Sequence, residues 1–135
     1  MSFDKDYMDT WNLLDEDKFV EQFAPDGVYS DATMSVSYEG HDEIRRMFQA
    51  TLAFYKKPEF NHVSGFSSDR QYVAEWLSVT TIDGKEYTTR VVSIGDLDEN
   101  GKITENRDYW NPATVPTSGY DMSAEKAAFQ ERTSS

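Results

Sequence analysis

The sequence predicts a single α+β domain, with helices first and a curved antiparallel sheet after them. Three observations lead there. Apolar residues recur at helical spacing up to about residue 55, the pattern changes to alternation beyond Pro58, and three turn signals cut the alternating part into strands. A chain of 135 residues is long enough to bury one core.

Tyr7, Trp11, Leu14, Phe19, Val20 and Phe23 form an apolar stripe over residues 4–23. The acidic run Asp15-Glu16-Asp17 divides it into two helices, with Asp15 or Asp17 as N-cap of the second. Pro25-Asp26-Gly27 reads as a turn, and residues 28–31 as a short extended segment. A third helix is expected over 42–55, where Ile44, Met47, Phe48, Leu52 and Tyr55 share a face. The segments 60–66, 71–82, 86–97 and 102–111 are rich in Val, Ile, Thr, Tyr and Trp. The turns Ser67-Ser68-Asp69, Asp83-Gly84 and Glu99-Asn100-Gly101 join them into a four-stranded meander. The domain is expected to span residues 1–112. Residues 113–135 read as a polar, loosely held tail, in which Ser123–Glu131 forms one amphipathic helix.

Segment 71–82 is apolar on both alternating sets, Val73, Leu77 and Val79 on one and Tyr72, Trp76 and Ile82 on the other. Three helices cover only one face of a sheet, so a homodimer is expected to cover the second. A curved sheet around helices also leaves a concave space suited to a small hydrophobic molecule, and 8 Phe, 8 Tyr and 3 Trp are available to line it.

Composition removes several classes of function. A formal charge of −12 argues against nucleic acid and anionic membrane as partners, since both need a positive footprint. With no cysteine, disulfides, thiolate metal ligands and cysteine nucleophiles are excluded. The first residues lack a basic stretch followed by an apolar run, so a cytoplasmic location is expected. No glycine-rich dinucleotide or phosphate-binding loop occurs, and the two histidines, His41 and His62, fit no helical ligand spacing. Neither a cofactor nor a metal is therefore expected, which leaves acid–base chemistry or plain binding.

Two carboxylates attract attention. Asp31 ends the short segment after the acidic turn, between Tyr29 and Ala32-Thr33-Met34. Asp108 lies mid-strand in Asn106-Arg107-Asp108-Tyr109-Trp110, where Asp is disfavoured. Alternation puts Asn106, Asp108 and Trp110 on one face and Arg107 and Tyr109 on the other. The competing interpretations are an exposed turn or capping carboxylate for Asp31 and a buried structural carboxylate paired with Arg90 for Asp108. His62, beside Phe60 and Val63, is placed to be half-buried and to act as acid, base or structural group. His41, after Gly40 at a helix start, is expected to be exposed.

From Asn12 the chain runs through Phe23-Ala24-Pro25-Asp26-Gly27-Val28-Tyr29-Ser30-Asp31 to Gly40-His41-Asp42-Glu43-Ile44, and later through Asn100-Gly101-Lys102-Ile103 to Arg107-Asp108-Tyr109-Trp110-Asn111. In this order and spacing, over about residues 5–112, it resembles the nuclear transport factor 2-like superfamily, which includes ketosteroid isomerase, limonene epoxide hydrolase and the SnoaL-like polyketide cyclases. The resemblance implies a cone of curved sheet over three helices, an α+β barrel of the SnoaL-like type, usually dimeric, with the pocket inside the cone. Matched to ketosteroid isomerase, Asp31 falls at the general base and Tyr7 at the oxyanion-hole tyrosine. Ser93 replaces the second oxyanion donor, there a protonated aspartic acid. Matched to limonene epoxide hydrolase, Asp108 takes the place of a catalytic aspartate, while Tyr29 and Asp31 take those of the tyrosine and asparagine that hold the water. Trp76 and Ser78 stand where that enzyme has its arginine and second aspartate, so its relay is not reproduced.

These readings converge on a cofactor-free acid–base enzyme acting on a small hydrophobic carbonyl or epoxide substrate, with isomerisation or cyclisation favoured. Asp31, Asp108 and Tyr7 are the expected catalytic residues. Tyr29, His62, Trp76, Ser78, Ser93, Asn106 and Trp110 are the expected substrate contacts. The alternatives are an epoxide hydrolase with an altered relay, a non-catalytic ligand-binding protein and a protein–protein adaptor.

Overall fold

The structure, a computed structural model, describes residues 3–116 and 122–133. Helix α1 (Phe3–Asn12) carries Asp4 and Asp6 in its first turn, where the helix dipole favours negative charge. Leu14, at φ 56°, turns the chain out of the helix. Asp15 then caps α2 (Glu16–Val20), its Oδ1 accepting from the backbone N of Asp17 at 3.0 Å and of Lys18 at 3.2 Å.

Strand β1 (Phe23–Asp31) starts earlier than the turn-forming residues 25–27 suggest. Pro25-Asp26-Gly27 lies within it, at a register irregularity between the pairs Phe23↔Ile103 and Val28↔Glu105. A Cβ at Gly27 would lie 2.8 Å from the Ile103 carbonyl oxygen, so only glycine lets the strands approach this closely. Strand β2 (Val36–Glu39) pairs antiparallel with β1 and leads directly into α3 (Gly40–Phe54). The remaining strands are β3 (Lys56–Ser67), β4 (Gln71–Ile82), β5 (Lys85–Leu97) and β6 (Ile103–Trp110).

The sheet has six strands in the order β2-β1-β6-β5-β4-β3, and it is curved and unclosed. Strands β3 to β6 form the antiparallel meander expected from the turns. Two features differ from that expectation: β2 is an added edge strand, and β1 pairs with β6 in parallel. Parallel pairing follows from the path, because the chain crosses through α3 to the far edge and meanders back until β6 meets β1.

Register divides the sheet cleanly. Tyr72, Trp76, Ser93, Asn106, Asp108 and Trp110 belong to the concave face, while Val73, Leu77, Val92, Ile94, Arg107 and Tyr109 belong to the outer one. The helices close over the concave face with aromatic contacts, Trp11 to Phe19 at 4.5 Å and Phe19 to Phe48 at 4.6 Å between ring centroids. Asn12 fastens α1 to β3, its Nδ2 donating to the Phe60 carbonyl at 2.6 Å and its Oδ1 accepting from the Phe60 N–H at 2.9 Å. The outer face exposes Phe66 and Tyr109.

Part of the segment read as a loosely held tail packs on the domain. After a short 3₁₀ turn at Pro112–Thr114, α4 (Ser123–Thr133) lies against β2, and Arg132 donates to Glu105 Oε2 at 3.0 Å. Residues 1–2, 117–121 and 134–135, which complete the expected domain and tail, lie outside the described residues. Among the described residues no helix is long and apolar enough to cross a membrane.

Gly95 in β5 makes room for Tyr72 in β4. A Cβ there would stand 2.0 Å from Tyr72 Cε1, inside the ring's own volume. Gly95→Ala is therefore expected to cost at least ~1–3 kcal/mol, the usual range for overpacking a filled core. Urea denaturation measures it, and an unchanged midpoint would show that the ring moves aside freely.

Candidate active site

Between the concave face and α3 lies a cavity of about 380 Å³. Strands β1, β4 and β6 contribute Tyr29, Asp31, Trp76, Ser78, Asp108 and Trp110 to its lining. Helix α3 adds Arg46, Met47 and Phe54, and the C-terminal segment adds Val115, Met122 and Glu125. Aromatic walls with a few convergent polar groups are the usual make-up of a small-molecule site.

Asp108 is the most constrained of those polar groups. It is 4 % exposed, and every donor that reaches it is neutral. Its Oδ1 accepts from Ser93 Oγ at 2.6 Å and from Asn106 Nδ2 at 2.9 Å, and the Tyr29 hydroxyl donates to its Oδ2. Behind the first two donors stand two more: Trp76 Nε1 donates to Ser93 Oγ at 2.9 Å, and the Tyr72 hydroxyl donates to Asn106 Oδ1 at 2.6 Å. Arg90, the cation considered for this carboxylate, is instead on the outer face, where it pairs with Glu75 at 2.6 Å. Without a cation, burial dominates over the hydrogen bonds and pushes the Asp108 carboxyl up to about 6.

Asp31 sits beside Asp108 in the β1–β6 register. Trp110 Nε1 donates to both its oxygens, at 3.0 and 2.9 Å, and the Met34 N–H donates to Oδ1 at 3.0 Å. Burial raises its pKa against the opposing pull of these donors. Tyr29 is held neutral, its pKa raised well above the ordinary value by burial and then by the Asp108 charge.

Of the residues singled out in the sequence, Tyr29, Asp31, Trp76, Ser78, Asp108 and Trp110 meet at the cavity, and four do not line it. Tyr7, expected as an oxyanion donor, is 1 % exposed, with its ring packed 5.3 Å from Tyr72 and 5.9 Å from Phe19. Its hydroxyl has no hydrogen-bond partner among the described residues. Ser93 and Asn106, expected as substrate contacts, lie behind Asp108 and serve it rather than the cavity. His62, also expected there, is tied under α1, its Nε2 2.8 Å from Asp4 Oδ2. An oxyanion hole built from Tyr7 and Ser93 is thus not assembled on the cavity wall. His41 is half-buried rather than exposed, with Nε2 2.8 Å from the Phe23 carbonyl oxygen. Among the described residues no group of three or more His, Asp or Glu is arranged to hold a metal ion.

Three parts of the site gave no signal in the sequence. Tyr38 comes from the unforeseen β2, Arg46 lies on a helix read only for its apolar stripe, and Met122 lies in the segment read as tail. Tyr72 did leave one: an isolated glycine within a strand, Gly95, marks a close approach.

A family model for the SnoaL-like domain matches residues 5–106. The chain belongs to the SnoaL-like family. Solved structures agree on the SnoaL-like fold. The epoxide hydrolase/cyclase-like enzyme SalBIII, described in pyran ring formation of the polyether salinomycin, superposes with a TM-score of 0.72 and 17 % identity, over 82 % of this chain and 88 % of that one. A hypothetical protein of ketosteroid isomerase-like fold from Catenulispora acidiphila, in complex with trimethylamine, gives 0.68 and 17 %, over 87 % and 86 %. No curated protein sequence matches significantly. In this SnoaL-like domain the matched region ends before Asp108, so the last part of β6 and the C-terminal wall of the cavity lie beyond it.

The raised Asp108 pKa has a consequence for stability. Its folded value, about 6, lies above the ordinary aspartate value of 3.8, so the folded state holds the proton more tightly. The associated stability is present at low pH and lost as pH rises through about 6. Two pH units correspond to about 3 kcal/mol at most. Relative to the parent, Asp108→Asn is expected to gain up to that amount between pH 4 and 7 in denaturant titrations. A difference independent of pH would show that the carboxyl is not desolvated.

Proposed function

We propose that this protein is a cofactor-free acid–base enzyme that isomerises or cyclises a small hydrophobic carbonyl or epoxide compound. One observation carries the reading: a buried carboxyl, Asp108, lines an aromatic cavity with neutral donors only, and its pKa is pushed up to about 6. A general acid or base works best when its pKa lies near the operating pH.

The chemistry follows from the geometry. Ionised Asp108 takes a proton through Oδ2, the oxygen beside Tyr29. With an enolisable carbonyl that proton comes from carbon, and returning it to another carbon completes an isomerisation. With a hydroxy-epoxide, Asp31 on the neighbouring strand takes the proton of the attacking hydroxyl, while neutral Asp108, whose carboxyl is pushed up to about 6, protonates the opening epoxide oxygen. Once Oδ2 carries the proton it donates to the Tyr29 oxygen, and the Tyr29 hydroxyl, held neutral, is released to donate to the developing oxyanion. The aromatic walls give the substrate an apolar surface to fold against, which brings an intramolecular nucleophile to the reacting carbon. Trp76 and Ser78 line the cavity where an Arg–Asp relay would be needed for ordinary epoxide hydrolysis. The likeness to a cyclase-like enzyme of pyran ring formation supports the cyclisation arm.

The same reading includes a second copy of the chain on the outer face of the sheet, where Phe66 is 67 % exposed; a solution mass of one chain would rule this out.

The test is turnover of a panel of hydroxy-epoxides and β,γ-unsaturated ketones, followed by mass spectrometry. Asp108→Asn is expected to lose ~10²–10⁴-fold in rate, the usual contribution of positioned proton transfer. The base-dependent rate of the parent should climb as pH rises through about 6, the range in which Asp108 ionises. Full activity in both Asp108→Asn and Asp31→Asn would overturn the proposal.

A further inference from the structure

The two oxygens of Asp108 are not equivalent. Oδ1 accepts from Ser93 Oγ at 2.6 Å and Asn106 Nδ2 at 2.9 Å, and neither residue lines the cavity. Oδ2 accepts from Tyr29, which does. The donors to Oδ1 are themselves fixed in direction. An indole N–H only donates, so Trp76 Nε1, 2.9 Å from Ser93 Oγ, occupies one of the two lone pairs of the serine oxygen, and the serine's own proton goes to Oδ1. An amide has one oxygen and one nitrogen. With the Tyr72 hydroxyl donating to Asn106 Oδ1 at 2.6 Å, the NH₂ end is left for Asp108. Tyr72 is fully buried, does not line the cavity, and lies where Gly95 leaves space for its ring.

We propose that Tyr72 is a positioning residue: through Asn106, and in parallel with the Trp76–Ser93 pair, it locks Oδ1 as an acceptor, so that the exchangeable proton of Asp108 resides on Oδ2 beside Tyr29 at the cavity. The lock makes proton exchange directional. A proton on Oδ1 would displace the hydrogen bonds of Ser93 and Asn106 and leave their protons without an acceptor, whereas one on Oδ2 meets the Tyr29 oxygen or a substrate atom. This deepens the reading of Asp108 as the acid–base group and rests on it.

The lock also predicts a sign. Both donors favour the carboxylate, so loosening either one moves the titration upward, towards the neutral acid. In Tyr72→Phe the Asn106 oxygen loses its partner, and the amide either donates less firmly or turns its oxygen towards Oδ1. Both outcomes act in the same direction. The other titratable groups disposed around the carboxyl are Tyr7 of α1 and Tyr29 and Asp31 of β1, all retained in this variant.

The experiment is a pH titration of the full chain with ¹³Cγ-labelled aspartate, followed by NMR, with the Asp108 signal assigned by its loss in Asp108→Asn. Tyr72→Phe is expected to raise the Asp108 midpoint by ~0.5–1 pH unit, the equivalent of one ordinary hydrogen bond. Ser93→Ala, which removes the other donor with little change in volume, is expected to shift it the same way and decides the matter if Tyr72→Phe does not fold. A folded Tyr72→Phe, or failing that Ser93→Ala, whose midpoint coincides with that of the parent would overturn the lock. A parent midpoint near 4, the ordinary carboxylate range, would instead sink the functional reading. The two failures are therefore distinguishable.

Discussion

The site depends on a carboxyl group buried without a cation. Asp108 is surrounded by hydroxyls, an amide and aromatic rings, so its charge is offset by hydrogen bonds alone. An arginine in the same position would hold the group ionised at all physiological pH and remove it from acid–base work. Neutral donors leave the balance close enough that burial decides the direction, and Asp31 on the next strand adds to the upward push. The cations of the adjacent strands are kept on the other face. Arg90 and Arg107 pair there with Glu75, Asp96 and Glu105. The alternation of a strand thus separates structural ion pairs from the polar network of the cavity by a single residue step.

The curvature and order of the sheet serve this arrangement. Parallel pairing of β1 with β6 brings Asp31 level with Asp108, and the β4–β5–β6 meander places Trp76, Ser93 and Asp108 in one hydrogen-bonded series. The aromatic packing of α1 to α3 buries the network behind Asp108, which gives its hydrogen bonds their electrostatic weight. The C-terminal segment then supplies Val115, Met122 and Glu125 to the cavity. These residues follow the region shared with the SnoaL-like family model, so this chain shapes part of its own pocket with residues the family pattern does not cover.

Much of this was legible in the sequence because it is local. Period-2 alternation placed Asn106, Asp108 and Trp110 on one face, and turn residues marked every hairpin of the meander. What was not legible depends on contacts between distant segments. The start of β1 at Phe23 depends on pairing with Ile103, which overrides the turn preference of Pro25-Asp26-Gly27. Tyr7 reads equally well as a pocket residue or a core residue, and only the rings of Tyr72 and Phe19 decide for the core. The roles of Ser93 and Asn106 as supports follow from the indole above one and the phenol beside the other, which no spacing rule contains.

The central claim is that a single buried carboxyl at the cavity exchanges its proton near neutrality. Infrared difference spectra recorded across pH test this directly, because a protonated carboxylic acid has a carbonyl band separate from those of carboxylates and amides. The account predicts one such band that disappears with a midpoint near 6, as burial demands for Asp108, and that is missing in Asp108→Asn. Disappearance of all acid bands together near pH 4, where exposed carboxylates titrate, would contradict it.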